Sequence, residues 1–147
     1  MRRLVIAAVL LALTALSPVE TQQVLDTRQA LMKEMRSVLG SLVPMIKGDK
    51  PWEPAAVAGA AQRIRDDVAR LDTLFPVGTD SDKVFTMALP AIWQSRAEFQ
   101  AAARAAAAAA GRLAELSGSG DPAALTAQVD AISTACTDCH QSFRVRR

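Results

Sequence analysis

The chain has 147 residues, of which 50 % are apolar and 22 % charged, with 7 Gly, 7 Pro and 2 Cys. That composition belongs to one globular domain and excludes disordered, collagen-like and disulfide-stapled classes. Aromatic residues are scarce at 4 %, Tyr is missing and Ala is abundant, which favours helices over an all-β sandwich. The 17 basic and 15 acidic residues give a net +2, but Arg2 and Arg3 lie in an acid-free stretch of 17 residues, and the rest of the chain has 15 of each sign. No basic stripe suited to nucleic acid remains.

Residues 1–17 read as an export signal. Arg2 and Arg3 precede an unbroken apolar run from Leu4 to Leu13, and small residues follow at Ala15 and Ser17. The run falls short of the roughly 20 apolar residues that a bilayer span takes. The mature domain is expected over 18–147, without a membrane span, in an oxidising compartment, the periplasm. Cleavage after Ser17 would leave Pro18 as an awkward first residue.

Four helices follow. The first, about Gln22 to Lys47, has its seam at Leu25, Arg28, Met32, Met35, Leu39, Leu42 and Ile46, in alternating steps of 3 and 4. Pro44 stands near its end, where it would kink the helix, and Gly48 suits its terminus. The second, Pro54 to Leu74, carries Val57, Ile64, Val68 and Leu71, with Phe75 closing the seam; a loop over 75–81 follows, marked by Pro76 and Gly78. The third starts near Pro90 and carries Ile92, Trp93, Phe99, Leu113 and Leu116. Nine alanines fill ten positions from Ala101 to Ala110, which suits a closely packed helix. After Ser117–Gly120, Asp121 and Pro122 restart the chain as N-cap and first-turn residue, and the fourth seam runs Leu125, Val129, Ile132, Cys136, Cys139, Phe143. Four amphipathic helices with mostly short connections make an all-α, antiparallel up-down-up-down four-helix bundle.

Both cysteines and the single histidine fall within five residues, Cys136-Thr137-Asp138-Cys139-His140. C-x-x-C-H is the attachment pattern of haem c. On a helix the two thiols share a face and can reach the two vinyl groups of one porphyrin, while His140, four residues from Cys136, lies on that face as an iron ligand. A thioredoxin-like redox pair would want a strand–helix setting. A zinc site would need a fourth Cys or His that the chain lacks. A structural disulfide would leave His140 without a role. The sequence therefore calls for one covalent haem c, with its iron, per chain.

With one histidine, bis-His ligation within the chain is excluded, and methionine becomes the natural sixth ligand. The mature candidates are Met32, Met35, Met45 and Met87. Arg28 favours Met32: one turn earlier on the same face, it would meet a propionate when Met32 meets the iron.

At this point the chain resembles the cytochrome c′ family over about Val24 to Arg147. The resemblance rests on R-Q-x-x-M at Arg28–Met32, K-G at Lys47–Gly48, F-P-x-G-T at Phe75–Thr79, I-W at Ile92–Trp93 and C-x-x-C-H-x-x-F-R at Cys136–Arg144. It implies a four-helix bundle and two branches. In the high-spin branch an apolar residue covers a five-coordinate iron that binds nitric oxide or carbon monoxide. In the low-spin branch a first-helix methionine ligates the iron and the protein carries electrons rather than acting as an enzyme. Met32 stands at the matching position, which implies the second branch. Arg28 matches the arginine paired with a propionate, and Arg144 the basic residue near the axial histidine. Phe143 stands where many members have Tyr, so a hydroxyl contact is lost. Expected partners are periplasmic redox proteins, the haem-attachment machinery and, because members are often homodimers through their first two helices, a second copy of the chain.

Overall fold

Ser17 caps the first helix through a reciprocal pair: its hydroxyl accepts from the Glu20 amide at 3.3 Å, and the Glu20 carboxylate accepts from the Ser17 amide at 2.8 Å. With Pro18 in the first turn, α1 therefore runs Pro18–Ile46 and starts earlier than its seam suggests. The computed structural model describes residues 16–146, so the expected export signal lies outside the described residues except for Leu16 and Ser17. Pro44 sits inside α1, and its carbonyl accepts from the Asp49 and Lys50 amides, which turns the chain off the helix; Gly48 follows the C-cap with φ +77°, as that turn requires.

The second helix is shorter than its apolar pattern. It is α-helical over Pro54–Arg70 (α2) and tightens into a 3-10 turn over Leu71–Leu74. Its seam is as expected: Val57, Ile64, Val68, Leu71 and Phe75 are buried. The expected third helix is two helices, α3 Ala91–Gln94 and α4 Arg96–Leu116, broken at Ser95 (φ −119°, ψ 53°). The break has a partner-based cause. Arg96 reaches away from its own helix to the Phe75 carbonyl at 3.2 Å, to the Asp72 carbonyl, and to the Asp72 carboxylate at 2.8 Å. The last helix, α5, spans Pro122–Phe143, with the Asp121 carboxylate accepting from the Ala123 and Ala124 amides.

The helices α1, α2, α4 and α5 form the bundle. Its two ends are tied by different connections. At one end the Trp52 indole donates to the Ser117 carbonyl at 2.9 Å, joining the α1–α2 and α4–α5 connectors. At the other end the long connection after α2 meets the end of α5, where the Leu89 amide donates to Phe143, the Val145 amide donates to Met87, and Ala88 and Arg144 form an isolated antiparallel bridge. That bridge is the one β feature among the described residues, and no sequence pattern announced it. No described helix is long and apolar enough to cross a membrane.

The core lies where α2, α4 and α5 meet. Val57, Ala61 and Ile64 from α2 face Ala106, Ala110 and Leu113 from α4 and Leu125, Val129 and Ile132 from α5, all buried. The alanine run is what lets α4 approach both neighbours closely. The α1 seam is rotated from expectation. Leu25, Arg28 and Leu42 are buried, but so is Leu31, at 3 % exposure, while Met32, Met35, Leu39 and Ile46 are only partly covered. α1 leans on α2 and touches α5 little. One polar residue is buried without full satisfaction: Asp67, 6 % exposed, has one carboxylate oxygen 3.7 Å from the Arg70 guanidinium and the other without a hydrogen-bond partner.

Candidate haem site

Three of the residues that the spacing singled out sit on the last two turns of α5. Cys136 and Cys139 are free thiols, half-buried against the core cluster, and His140 stands at the surface beside them. Burial raises the pKa of both thiols, with Cys136 adding to the shift at Cys139. They stay protonated at neutral pH, which argues against the thiolate chemistry of a disulfide exchanger. His140 is shifted down, first by the burial it has and then by the Arg144 charge. The imidazole is held neutral, the form that can give a lone pair to a metal.

Met32 and Met35 are half-buried on α1, which flanks α5 on the side that protein packing closes least. Met45 is also half-buried but lies near the C-terminal end of α1. Met87 is half-buried in the connection, where its carbonyl accepts from the Val145 amide. The structure thus brings two of the four methionines, Met32 and Met35, onto the middle of the first helix.

Arg28 is the most telling group. It is 5 % exposed, and among the described residues it pairs with no carboxylate. Its Nε donates to the Leu74 carbonyl, its Nη1 to the Thr79 carbonyl at 3.2 Å and its Nη2 to the Thr79 hydroxyl. The guanidinium lies 4.2 Å from the centre of the Phe75 ring and 5.6 Å from that of Trp93. Burial alone pushes its pKa down to about 10. A buried cation without a counter-charge is costly, and an arriving carboxylate relieves that cost. Two of its five N–H groups remain for such an anion. The site therefore fits a haem on both counts: two thiols and an imidazole on one helix, and an unmatched positive charge for a propionate on another.

The aromatic residues wall this end of the bundle. Phe143 packs edge-on against Phe99 at 5.4 Å, Phe99 against Phe75 at 5.0 Å, and Phe75 against Trp93 at 5.8 Å between ring centres. An open groove of about 600 Å³ along the outer side of α4 and α5 has Cys139 and Phe143 in its wall but neither Cys136, His140 nor Met32. Its floor is alanine and it does not gather the ligand set. Besides Arg28, the buried polar residues are Asp67, Thr79 and Ser117, none of which spacing placed at the site; Thr79 carries a signal only as the last letter of the F-P-x-G-T loop.

A four-helix bundle with this attachment motif at its C-terminal end defines a haem c protein of the helical-bundle class. The sequence profile of the family Cytochrome C′ matches residues 23–144, and the chain belongs to that family, whose members carry covalently attached haem c with its iron. The chain is 32 % identical to a cytochrome c-556 from Rhodopseudomonas palustris over 151 aligned positions, covering 98 % of this chain and 97 % of that one. It is also 32 % identical to a cytochrome c′ from Cereibacter sphaeroides over 150 positions, with both chains fully covered. Among solved structures it is similar to a cytochrome c′ from Rhodobacter sphaeroides, with a TM-score of 0.76 and 30 % identity over 86 % of this chain and 98 % of that one. A cytochrome c′ from Rubrivivax gelatinosus gives 0.73 and 28 % over 85 % and 97 %.

Proposed function

We propose that this chain is an exported electron carrier in which Cys136 and Cys139 would hold one haem through thioethers, His140 and Met32 would ligate its iron, and Arg28 would face a propionate. The observation that carries the reading is the pairing on α1 of a half-buried Met32 with a buried Arg28 guanidinium, one turn earlier, that no carboxylate neutralises. The haem iron supplies the redox step, one electron taken up or given. The chain's residues do the rest. Each cysteine would add its S–H across one vinyl group, the sulfur to one carbon and the proton to the other. His140 holds its ligand position because the helix and two covalent bonds fix it. Met32 offers a thioether, a soft neutral ligand that favours the ferrous state and raises the potential. The apolar wall of Phe75, Phe99 and Phe143 keeps water away.

With His140 and Met32 both carried by the folded chain, little rearrangement would accompany the gain or loss of an electron. Partners would be periplasmic redox proteins docking through a small transient interface, besides the haem-attachment machinery and, in a homodimer, a second copy of the chain. A second reading follows from the relatives, which carry the names cytochrome c-556 and cytochrome c′ at equal identity. In it the iron is five-coordinate, Met32 only covers it, and nitric oxide or carbon monoxide binds. Absorption spectra of the matured protein decide between them. The weak red charge-transfer band of a methionine–iron bond is expected in the ferric state; a high-spin ferric spectrum would transfer the chain to the gas-binding reading.

A further inference from the structure

Thr79 is wholly buried, and its hydroxyl is used in both directions. It donates to the Pro76 carbonyl at 2.8 Å and accepts from the Nη2 of Arg28. The same Pro76 carbonyl accepts the indole N–H of Trp93 at 3.1 Å. One side chain therefore joins α1, through Arg28, to the connection after α2, and through Pro76 to α3. Every protein hydrogen bond of the Arg28 guanidinium ends on Leu74 or Thr79, so the grip on this turn of α1 comes from that connection.

We propose that Thr79 is a positioning residue for Met32: its hydroxyl locks the α1 turn from Arg28 to Met32 and so sets how often the Met32 sulfur leaves the iron. The inference rests on the His140/Met32 reading. Arg28 and Met32 are four residues apart on one continuous helix, so a shift of one carries the other. Removing the hydroxyl strands a buried donor on Arg28 and takes the Thr79 side-chain donor away from Pro76. The connection must then re-pair or open to water. Either change loosens the turn, and small ligands reach the sixth position only when Met32 is off.

The test uses haem-loaded, ferrous protein mixed with carbon monoxide, in the wild type and in Thr79→Val and Thr79→Ser. Val keeps the shape and loses the hydroxyl; Ser keeps the hydroxyl. Thr79→Val is expected to retain the ferric red band yet combine with carbon monoxide about tenfold faster, the size that one net hydrogen bond can supply. Its amide exchange should quicken at residues 28–33 and 74–80. Thr79→Ser is expected to stay within about twofold of the wild type on both measures. Trp93→Phe, which removes the indole donor to Pro76 and keeps an aromatic ring beside Phe75 and Arg28, should move both in the same direction by less, and it carries the test if Thr79→Val does not accumulate. Unchanged rates and exchange in Thr79→Val, or equal acceleration in Val and Ser, overturn the proposal while the low-spin wild-type spectrum keeps the ligation reading intact. A high-spin wild type overturns the ligation reading, and the positioning role falls with it.

Discussion

Where α2, α4 and α5 meet, the bundle is closed by its own side chains: Val57, Ala61, Ile64, Ala110, Leu113 and Ile132 are buried, and alanines let the backbones approach. Where α1 faces the end of α5 the chain does not finish the job. Met32, Met35, Leu39, Cys136 and Cys139 stay half-covered although all five lie on apolar seams, and Arg28 is buried with its charge unmatched. The contrast teaches that an apolar seam marks what is to be buried, not what buries it. On one side the partner is another helix; on the other, the chemistry of the residues asks for a flat apolar ring with two acids.

The sharpest break of this comparison is at the attachment point. Cys136→Ser combined with Cys139→Ser should abolish covalent haem, so that the mass of the purified chain lacks one haem, while the α2–α4–α5 core is untouched. Next is Met32→Ala, expected to turn a low-spin ferric spectrum high-spin and to open the iron to carbon monoxide; an unchanged spectrum would remove Met32 from the ligand set. In the closed half, Leu113→Ala empties a fully buried site and should cost about 2–5 kcal/mol in denaturant unfolding. A cost below about 1 kcal/mol would mean that close packing is not what holds that half together.

The smallest effect expected is at Asp67, at the edge of the closed half. Burial, then the Glu34 charge, raises its carboxyl pKa above the ordinary aspartate range. A raised folded pKa means that the folded state holds its proton to higher pH than the unfolded chain does. Stability therefore falls as pH rises from the unfolded value through the folded one. Asp67→Asn should stabilise the protein at pH 7 by about 1 kcal/mol, because the ionised oxygen left without a partner is gone. The gain should vanish below about pH 4, where the aspartate of the parent is protonated too. Thermal unfolding at pH 7 and pH 3.5 reads the difference.

The four-helix order, the α2 and α5 seams and the attachment motif were all legible in the sequence, because each rests on spacing within one helix. What spacing could not show is non-local. The break at Ser95 answers to Arg96 reaching Asp72 and Phe75, more than twenty positions back. Leu31 displaces Met32 from the buried stripe of α1 because that helix leans on α2, a tilt no single-helix pattern contains. Arg28 reads from its own helix as a haem-edge residue; its bonds to Leu74 and Thr79 span 46 and 51 positions. Thr79 stood in the sequence only as the last letter of F-P-x-G-T and is the buried joint of that network.

The pairing of residues 87–89 with 143–145 has a bearing on folding. The segment that follows the C-x-x-C-H motif pairs with a counterpart more than fifty positions back, so the seam closes a long loop. Such a non-local contact forms after the helices it joins, and until it does the last turn of α5, with Cys139 and His140, lacks that tie. Closing that seam is therefore the step that seals the thiol-bearing end of the bundle.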